Sequence, residues 1–256
     1  MTIAACYFST EGVVLGADST STMFVAGPGD QPGCLHHYDY AQKVFELGRD
    51  STAGITMWGL GSLGDLSYRT LIADVADEAL ASSAPNLGEV ASLFASKFWS
   101  QYEKTFQTDL ACARSLHSKP NRTQDETNQL NRLLQALSGG FCLGGRWGLS
   151  RQPSALELLF NPTLTASPKP SCLALGSAKF WGVPNLISRL LYGIDQQLFH
   201  AVIASGKWTG TPNDLFNLVS NFALLQPKDL PLREAIDWVH ASIYTTIKGM
   251  KFSHLV

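Results

Sequence analysis

Thr2 and Asp18 are the first residues whose types and spacing could do chemistry. Thr2 to Phe8 and Val13 to Ala17 are runs of β-prone side chains, and Ser9-Thr10-Glu11-Gly12 between them has turn composition. An antiparallel hairpin folded about Thr10 and Glu11 lays Thr2 beside Ser19, next to Asp18, so that a hydroxyl meets a carboxylate. Thr2 follows Met1 and is small enough for Met1 to be trimmed in the cytosol. Trimming would give Thr2 a free α-amino group, of pKa about 8, next to its own hydroxyl. An amine so placed can take the hydroxyl proton and activate a weak nucleophile.

The rest of the composition narrows the partners. With 256 residues, 45% hydrophobic and 16% charged, the chain has the make-up of an ordinary globular protein with one large core or two small ones. A net charge of −2 without a Lys/Arg cluster favours neither nucleic acid nor an anionic membrane as partner. No apolar run approaches the ~18 residues of a membrane span. The N-terminus lacks the basic-then-apolar pattern of a signal peptide. Cys6, Cys34, Cys112, Cys142 and Cys172 are scattered, odd in number and free of CxxC pairs, which predicts a reducing, cytoplasmic setting without disulfides or zinc. His36-His37 has no further ligand at metal spacing, so neither metal nor cofactor is expected.

The elements that must position Thr2 and Asp18 follow along the chain. Phe24 to Asp39 reads as a loop around Gly27-Pro28-Gly29-Asp30-Gln31-Pro32-Gly33. Strands are expected over Gln42–Leu47 and Gly54–Leu60. Gly59-Leu60-Gly61-Ser62-Leu63-Gly64-Asp65 then turns the chain into a helix capped by Ser62, with Leu71, Ile72, Val75, Ala76, Ala79 and Leu80 on one face. Asn86 with Glu89 starts a second helix carrying Val90, Phe94, Phe98, Tyr102 and Phe106. Thr123 with Glu126 starts another inside a polar excursion over 109–138. Strands over Gly140–Arg146, Ala155–Phe160 and Ser171–Gly176 precede helices that begin near Pro184, Pro212 and Pro231, proline suiting a first turn. The Pro184 helix is read as one piece from Leu186 to Val202. Trp58, Trp181, Trp208 and Trp238 read as core or interface anchors. Blocks of strands followed by blocks of helices predict an α+β fold in a single domain over 1–256.

Taken in order, these blocks resemble the β-type subunits of the proteasome family, the self-compartmentalising N-terminal-nucleophile hydrolases. The resemblance is carried by Thr2-Ile3-Ala4 through Gly12-Val13-Val14-Leu15-Gly16-Ala17-Asp18, by Thr22-Met23, by Ala41-Gln42-Lys43-Val44-Phe45-Glu46-Leu47 and by Gly61-Ser62-Leu63-Gly64-Asp65. Leu173-Ala174-Leu175-Gly176-Ser177 and the helix Leu232 to Ile243 extend it. About half of the chain lies outside these blocks, with surface insertions near 24–39, 109–138 and 188–228. The resemblance implies a four-layer αββα sandwich. It also implies a threonine peptidase in which Thr2 is the nucleophile and its freed amine the base, directly or through a water. Lys43 would favour the deprotonated hydroxyl and the neutral amine, and Asp18 would fix the Lys43 ammonium. The Gly61 amide would bind the oxyanion, a role worth ~3 kcal/mol. Ser177 would hydrogen-bond the Thr2 amine, and Ser253 matches the serine of the family's final Asp-x-x-Ser, with Met250 where the aspartate stands. Ser19-Thr20 also departs from the family, which has an arginine two residues after the aspartate.

Taken singly, these residues have ordinary readings: Asp18 as a turn residue, Lys43 as an edge charge, Gly176-Ser177 as a helix cap. The resemblance further implies a homo-oligomeric ring, contacts in it from the first helices, a peptide or unfolded-protein substrate, and an ATPase or activator as partner. It places the substrate side chain among Ser21, Thr22, Ala41, Phe45, Gly59 and Leu63, with Gly59 as an open floor and no charged wall. A preference for large apolar residues follows. Two other readings stand beside this one: a non-catalytic ring or scaffold subunit, and a small-amide hydrolase or transpeptidase using the same nucleophile.

Overall fold

The chain opens with the expected hairpin, β1 (Ile3–Phe8) and β2 (Val13–Ala17), in the expected register: Ala4 faces Ala17 and Phe8 faces Val13. Ser9 N donates to Gly12 O at 2.9 Å and closes the turn. The structure is a computed structural model describing residues 2–25, 34–38, 40–48, 52–150, 152–222 and 230–250, with 21–25, 34–38 and 250 described by their backbone only. A second hairpin follows, β3 (Ser21–Val25) with β4 (Cys34–Tyr38), where the sequence reads as loop over 24–39. The Gly/Pro run masks the β-prone arms on either side of it.

Next come β5 (Val44–Glu46) and β6 (Ala53–Gly59). Helix α1 (Tyr68–Ala81) begins after Ser67 rather than at Ser62, because Leu66 N donates to Leu63 O at 3.2 Å and holds that stretch in a turn. In α2 (Leu87–Thr105), Asn86 Oδ1 accepts from Glu89 N at 3.1 Å. Helices α3 (Gln107–Ser118) and α4 (Gln124–Leu137) fill the polar excursion, and Thr123 and Glu126 cap α4 reciprocally. β7 (Gly139–Gly145) and β8 (Ser154–Phe160) lie close to their predicted spans.

After them the structure departs from the sequence reading in two places. The strand expected over Ser171–Gly176 is only β9 (Ser171–Cys172), and a separate strand, β10 (Ser177–Gly182), lies between it and the Pro184 helix, where no strand was expected. The long Pro184 helix is two, α5 (Asn185–Tyr192) and α6 (Gln196–Ala204). Gly193, left-handed at φ 74°, ends the first, and the Asp195 carboxylate caps the second. α7 (Pro212–Ser220) and α8 (Leu232–Met250) complete the described chain.

The result is a mixed α/β fold with antiparallel sheets, one ordered β10-β1-β2 and one ordered β5-β6-β7-β8-β9. β1 is buried along its whole length, and its side-chain alternation serves two cores. Ile3, Ala5 and Tyr7 pack with Ile187 and Leu191 of α5 and with Ala235, Val239 and Ile243 of α8. Ala4, Cys6 and Phe8 turn the other way, toward Trp58, Cys142 and Ala155 of the second sheet. On the far side of that sheet, Ile55, Phe141 and Leu158 pack with the apolar faces of α1 and α2. Each large side chain so buried contributes about 1.5–3 kcal/mol.

The α2 aromatics belong to this core. Phe98 lies 4.3 Å from Phe160 and 4.9 Å from Phe141 between ring centroids, and Phe94, Phe98 and Tyr102 are fully buried. The ring contacts expected of that helix therefore cannot come from its aromatic face. Among the described residues, no helix is long and apolar enough to cross a membrane.

Candidate active site

The hairpin register brings Asp18 to the start of β1. Asp18 N donates to Ile3 O at 3.0 Å, and Ile3 N donates back to Asp18 Oδ1 at 2.9 Å. The second carboxylate oxygen accepts from Thr20 N at 3.1 Å, a local Asx-type turn. Lys43 arrives from the other sheet, immediately before β5, where its carbonyl accepts from Met57 N of β6 at 3.0 Å. Its ammonium donates to Asp18 Oδ1 at 2.8 Å, to Thr2 Oγ1 at 3.1 Å and to the carbonyl of Thr20. Lys43 and Asp18 are 8% and 6% exposed, whereas Thr2 is half-buried at the mouth of the cluster.

These contacts assign roles. An ammonium has three N–H donors and no lone pair, and Lys43 uses all three. So held, the Lys43 head group is aimed at the Thr2 oxygen, where an ammonium can stabilise developing negative charge. An α-amine on Thr2 itself is chemically suited to take the hydroxyl proton. Met1, whose removal would expose that amine, lies outside the described residues, as does Ser253.

β10 enters the site differently from the sequence reading. It pairs with β1 antiparallel, Phe8 opposite Ser177 and Ile3 opposite Gly182. Ser177 therefore stands at the far end of β1 from Thr2, where its hydroxyl donates to Ala174 O at 2.5 Å. The structure does not bring it to the Thr2 amine. The strand end that reaches Thr2 is Gly182-Val183: Val183 N donates to Thr2 O at 3.0 Å. Gly182 has φ +85°, and a Cβ there would lie 1.9 Å from the Thr2 carbonyl oxygen, so only glycine permits the approach. Neither Gly182, Val183 nor Pro184 carries a hydroxyl.

The other expected residues divide. Gly61 lies just past the end of β6, on the Lys43 side of the sheet, and its N–H has no acceptor among the described backbone groups. Gly61 is exposed, and nothing stands within 4 Å of where its Cβ would be. Gly59 is not an open floor. It has φ +81°, and a Cβ would fall 2.4 Å from Ser138 O and 2.6 Å from the Gly139 Cα; backbone geometry, not pocket space, requires glycine there. Leu63 is 1% exposed and Phe45 8%, both packed in the core under α1 and α2, so Leu63 in particular offers no accessible wall. Ala41 is half-buried and its N–H donates to Ser19 O at 2.7 Å. Ser21 and Thr22 begin β3, with side chains outside the described residues.

Sequence reasoning passed over a second charged cluster. Glu157, 5% exposed in the middle of β8, accepts from Lys179 Nζ at 2.6 Å and from the Trp181 indole N–H. Trp181 stacks on Trp58, centroids 4.3 Å apart and planes 12° from parallel. The available signal was a lone carboxylate in the apolar run Ser154-Ala155-Leu156-Glu157-Leu158-Leu159-Phe160. Cys142 lies beside it in register. A hydrogen bond with Cys6, then burial and the neighbouring negative charge, push the Cys142 thiol well above its ordinary value, so it stays protonated and serves as a small core group. Among the described residues, no three His, Cys, Asp or Glu side chains gather closely enough to hold a metal ion.

The chain matches no protein-family model and no curated protein.

Proposed function

We propose that this chain is a threonine-dependent peptidase of the N-terminal-nucleophile type, with Thr2 as nucleophile once Met1 is removed. The observation that carries this reading is the single ammonium of Lys43, held by Asp18 at 2.8 Å and aimed at Thr2 Oγ1 at 3.1 Å. The Gly61 amide, on an exposed residue and without a backbone acceptor among the described residues, is suited to a tetrahedral oxyanion and supports the same chemistry. The three apolar clusters on either side of and between the two sheets support the αββα layering that such enzymes share. On this reading the protein works in the cytoplasm as a homo-oligomeric ring, cleaves peptides or unfolded chains, and takes an ATPase or activator as partner.

One observation favours a second reading. The strand end at Thr2 is Gly182-Val183-Pro184, with no hydroxyl to orient the freed amine. That is the composition of a ring subunit that keeps the fold and has given up the chemistry.

The two readings separate in one experiment. The native protein is analysed by intact mass and assayed on fluorogenic peptides ending in Leu, Phe, Tyr, Asp or Arg, alongside Thr2→Ala. The peptidase reading expects loss of Met1, turnover of the apolar peptides, and at least a ~10³-fold loss in Thr2→Ala at unchanged melting temperature. Met1 present on every chain, or equal turnover by Thr2→Ala, would sink it.

A further inference from the structure

Strand β10 lies at the edge of its sheet and pairs with β1 on one side only. The bond from Val183 N to Thr2 O fixes the phase of that pairing. Ser177, Lys179 and Trp181 turn their backbone N–H and C=O toward β1, and Ala178, Phe180 and Gly182 turn theirs outward. Those outward groups have no hydrogen-bond partner among the described residues. Gly182 is exposed, and Ala178 and Phe180 are half-buried. The flank beside them is open too: β9, next to Lys179 through Glu157, has both its residues exposed.

A lysine, a proline or a bulge commonly guards such an edge. Here the Lys179 head is drawn onto Glu157 at 2.6 Å, which also offsets its charge, and Pro184 stands just past the last outward group. At the other end Gly176, at φ +74°, spends its N–H on Phe8 O at 2.8 Å. Between these limits lies a ladder of three donors and three acceptors, on alternate residues centred on Phe180. A second β10 laid antiparallel about a two-fold axis at Phe180 sets Phe180 opposite Phe180 and Ala178 opposite Gly182. Every outward donor of each copy then finds an acceptor in the other. Lys179 comes to stand opposite Trp181 of the partner subunit, so that no lysine directly faces a lysine. A second copy also brings a strand that is already extended, whereas a free peptide must first be ordered at ~1–2 kcal/mol per residue.

We propose that β10 is a docking edge for a second copy of this chain, the two β10 strands pairing antiparallel about Phe180 so that two three-stranded sheets become one. The contact does not rest on peptidase chemistry, and its test needs no turnover. Sedimentation equilibrium and residue-resolved hydrogen exchange are run on the full chain between about 1 µM and 1 mM, where association is expected. Across that range, exchange at the amides of Ala178, Phe180 and Gly182 should slow at least about tenfold. The amides of Lys179 and Trp181, already bonded to β1, should change less than about twofold. Ala178→Pro removes an outward N–H that the sheet itself does not use. It should weaken association at least about tenfold while the dilute protein melts as the wild type does. No association up to the highest concentration, association without the alternating pattern of protection, or undiminished association by Ala178→Pro would each overturn the contact. Reduced, carboxymethylated lactalbumin that protects the same three amides in a chain that does not self-associate would overturn the second copy in favour of an unfolded polypeptide.

Discussion

Two buried carboxylates each hold a lysine in this protein, and only one of the pairs is equipped for chemistry. Asp18 holds Lys43 at 2.8 Å and Glu157 holds Lys179 at 2.6 Å. The carboxylates are alike, with side chains 4% and 6% exposed, but the lysines differ: Lys43 is 8% exposed and Lys179 is 44%. Lys179 can trade its partner for water, and the other oxygen of Glu157 is spent on the Trp181 indole. Lys43 is closed in by three acceptors, one of which is the hydroxyl of Thr2. An ion pair of itself is weak evidence of either stability or function. The third partner, and how far the cation is cut off from solvent, separate a site from a clamp between sheets.

The largest expected effect comes from removing the enclosed cation. Lys43→Ala leaves Asp18 buried with only amide donors, which should cost about 3–5 kcal/mol, a fall of roughly 10 °C or more in melting temperature, and abolish any peptide turnover. Gly59→Ala strikes the strand end shared by both clusters, since Trp58 precedes it and Met57 holds the Lys43 carbonyl. Left-handed strain together with the clash at Ser138 O should cost about 2–3 kcal/mol in urea melts, whereas a neutral result would restore the open-floor reading of Gly59.

At the second cluster, Glu157→Leu strands the Trp181 N–H and should cost about 1–3 kcal/mol, while Glu157→Gln keeps an acceptor and should recover much of that loss. Smallest of all, Lys179→Ala should cost about 1–2 kcal/mol: Glu157 stays buried on the Trp181 N–H, but water can take the place of the half-exposed ammonium. A Lys179→Ala melt as severe as that of Lys43→Ala would break the distinction between the two pairs.

The half of the site that was legible is the half made by neighbours in sequence. Turn chemistry at Ser9 to Gly12 between two β-prone runs sets the β1–β2 register, and a one-residue slip would turn every β1 side chain to the wrong core. Asp18 beside the start of β1 follows from that alone, as do the caps at Asn86 and Thr123, whose partners lie three residues away. The resemblance pointed to Lys43, but its contact with Thr2 spans 41 residues and depends on one sheet packing on the other.

The clearest failure has the same cause. Gly176-Ser177 reads locally as a strand end, and nothing within a few residues reveals that β10 starts there and runs back along β1. Its run Ser177-Ala178-Lys179-Phe180-Trp181-Gly182 lacks clean alternation, since Lys179 and Trp181 share a face and converge on Glu157. The sequence by itself thus determined the hairpin, the carboxylate at its end and most of the helices, all products of local torsions and short-range hydrogen bonds. Tertiary structure decided which strand end meets Thr2, that Val183 and not Ser177 stands there, and that Gly59 serves the backbone. Those outcomes depend on pairings between distant segments, whose register is set by burial on both faces of β1 rather than by any turn.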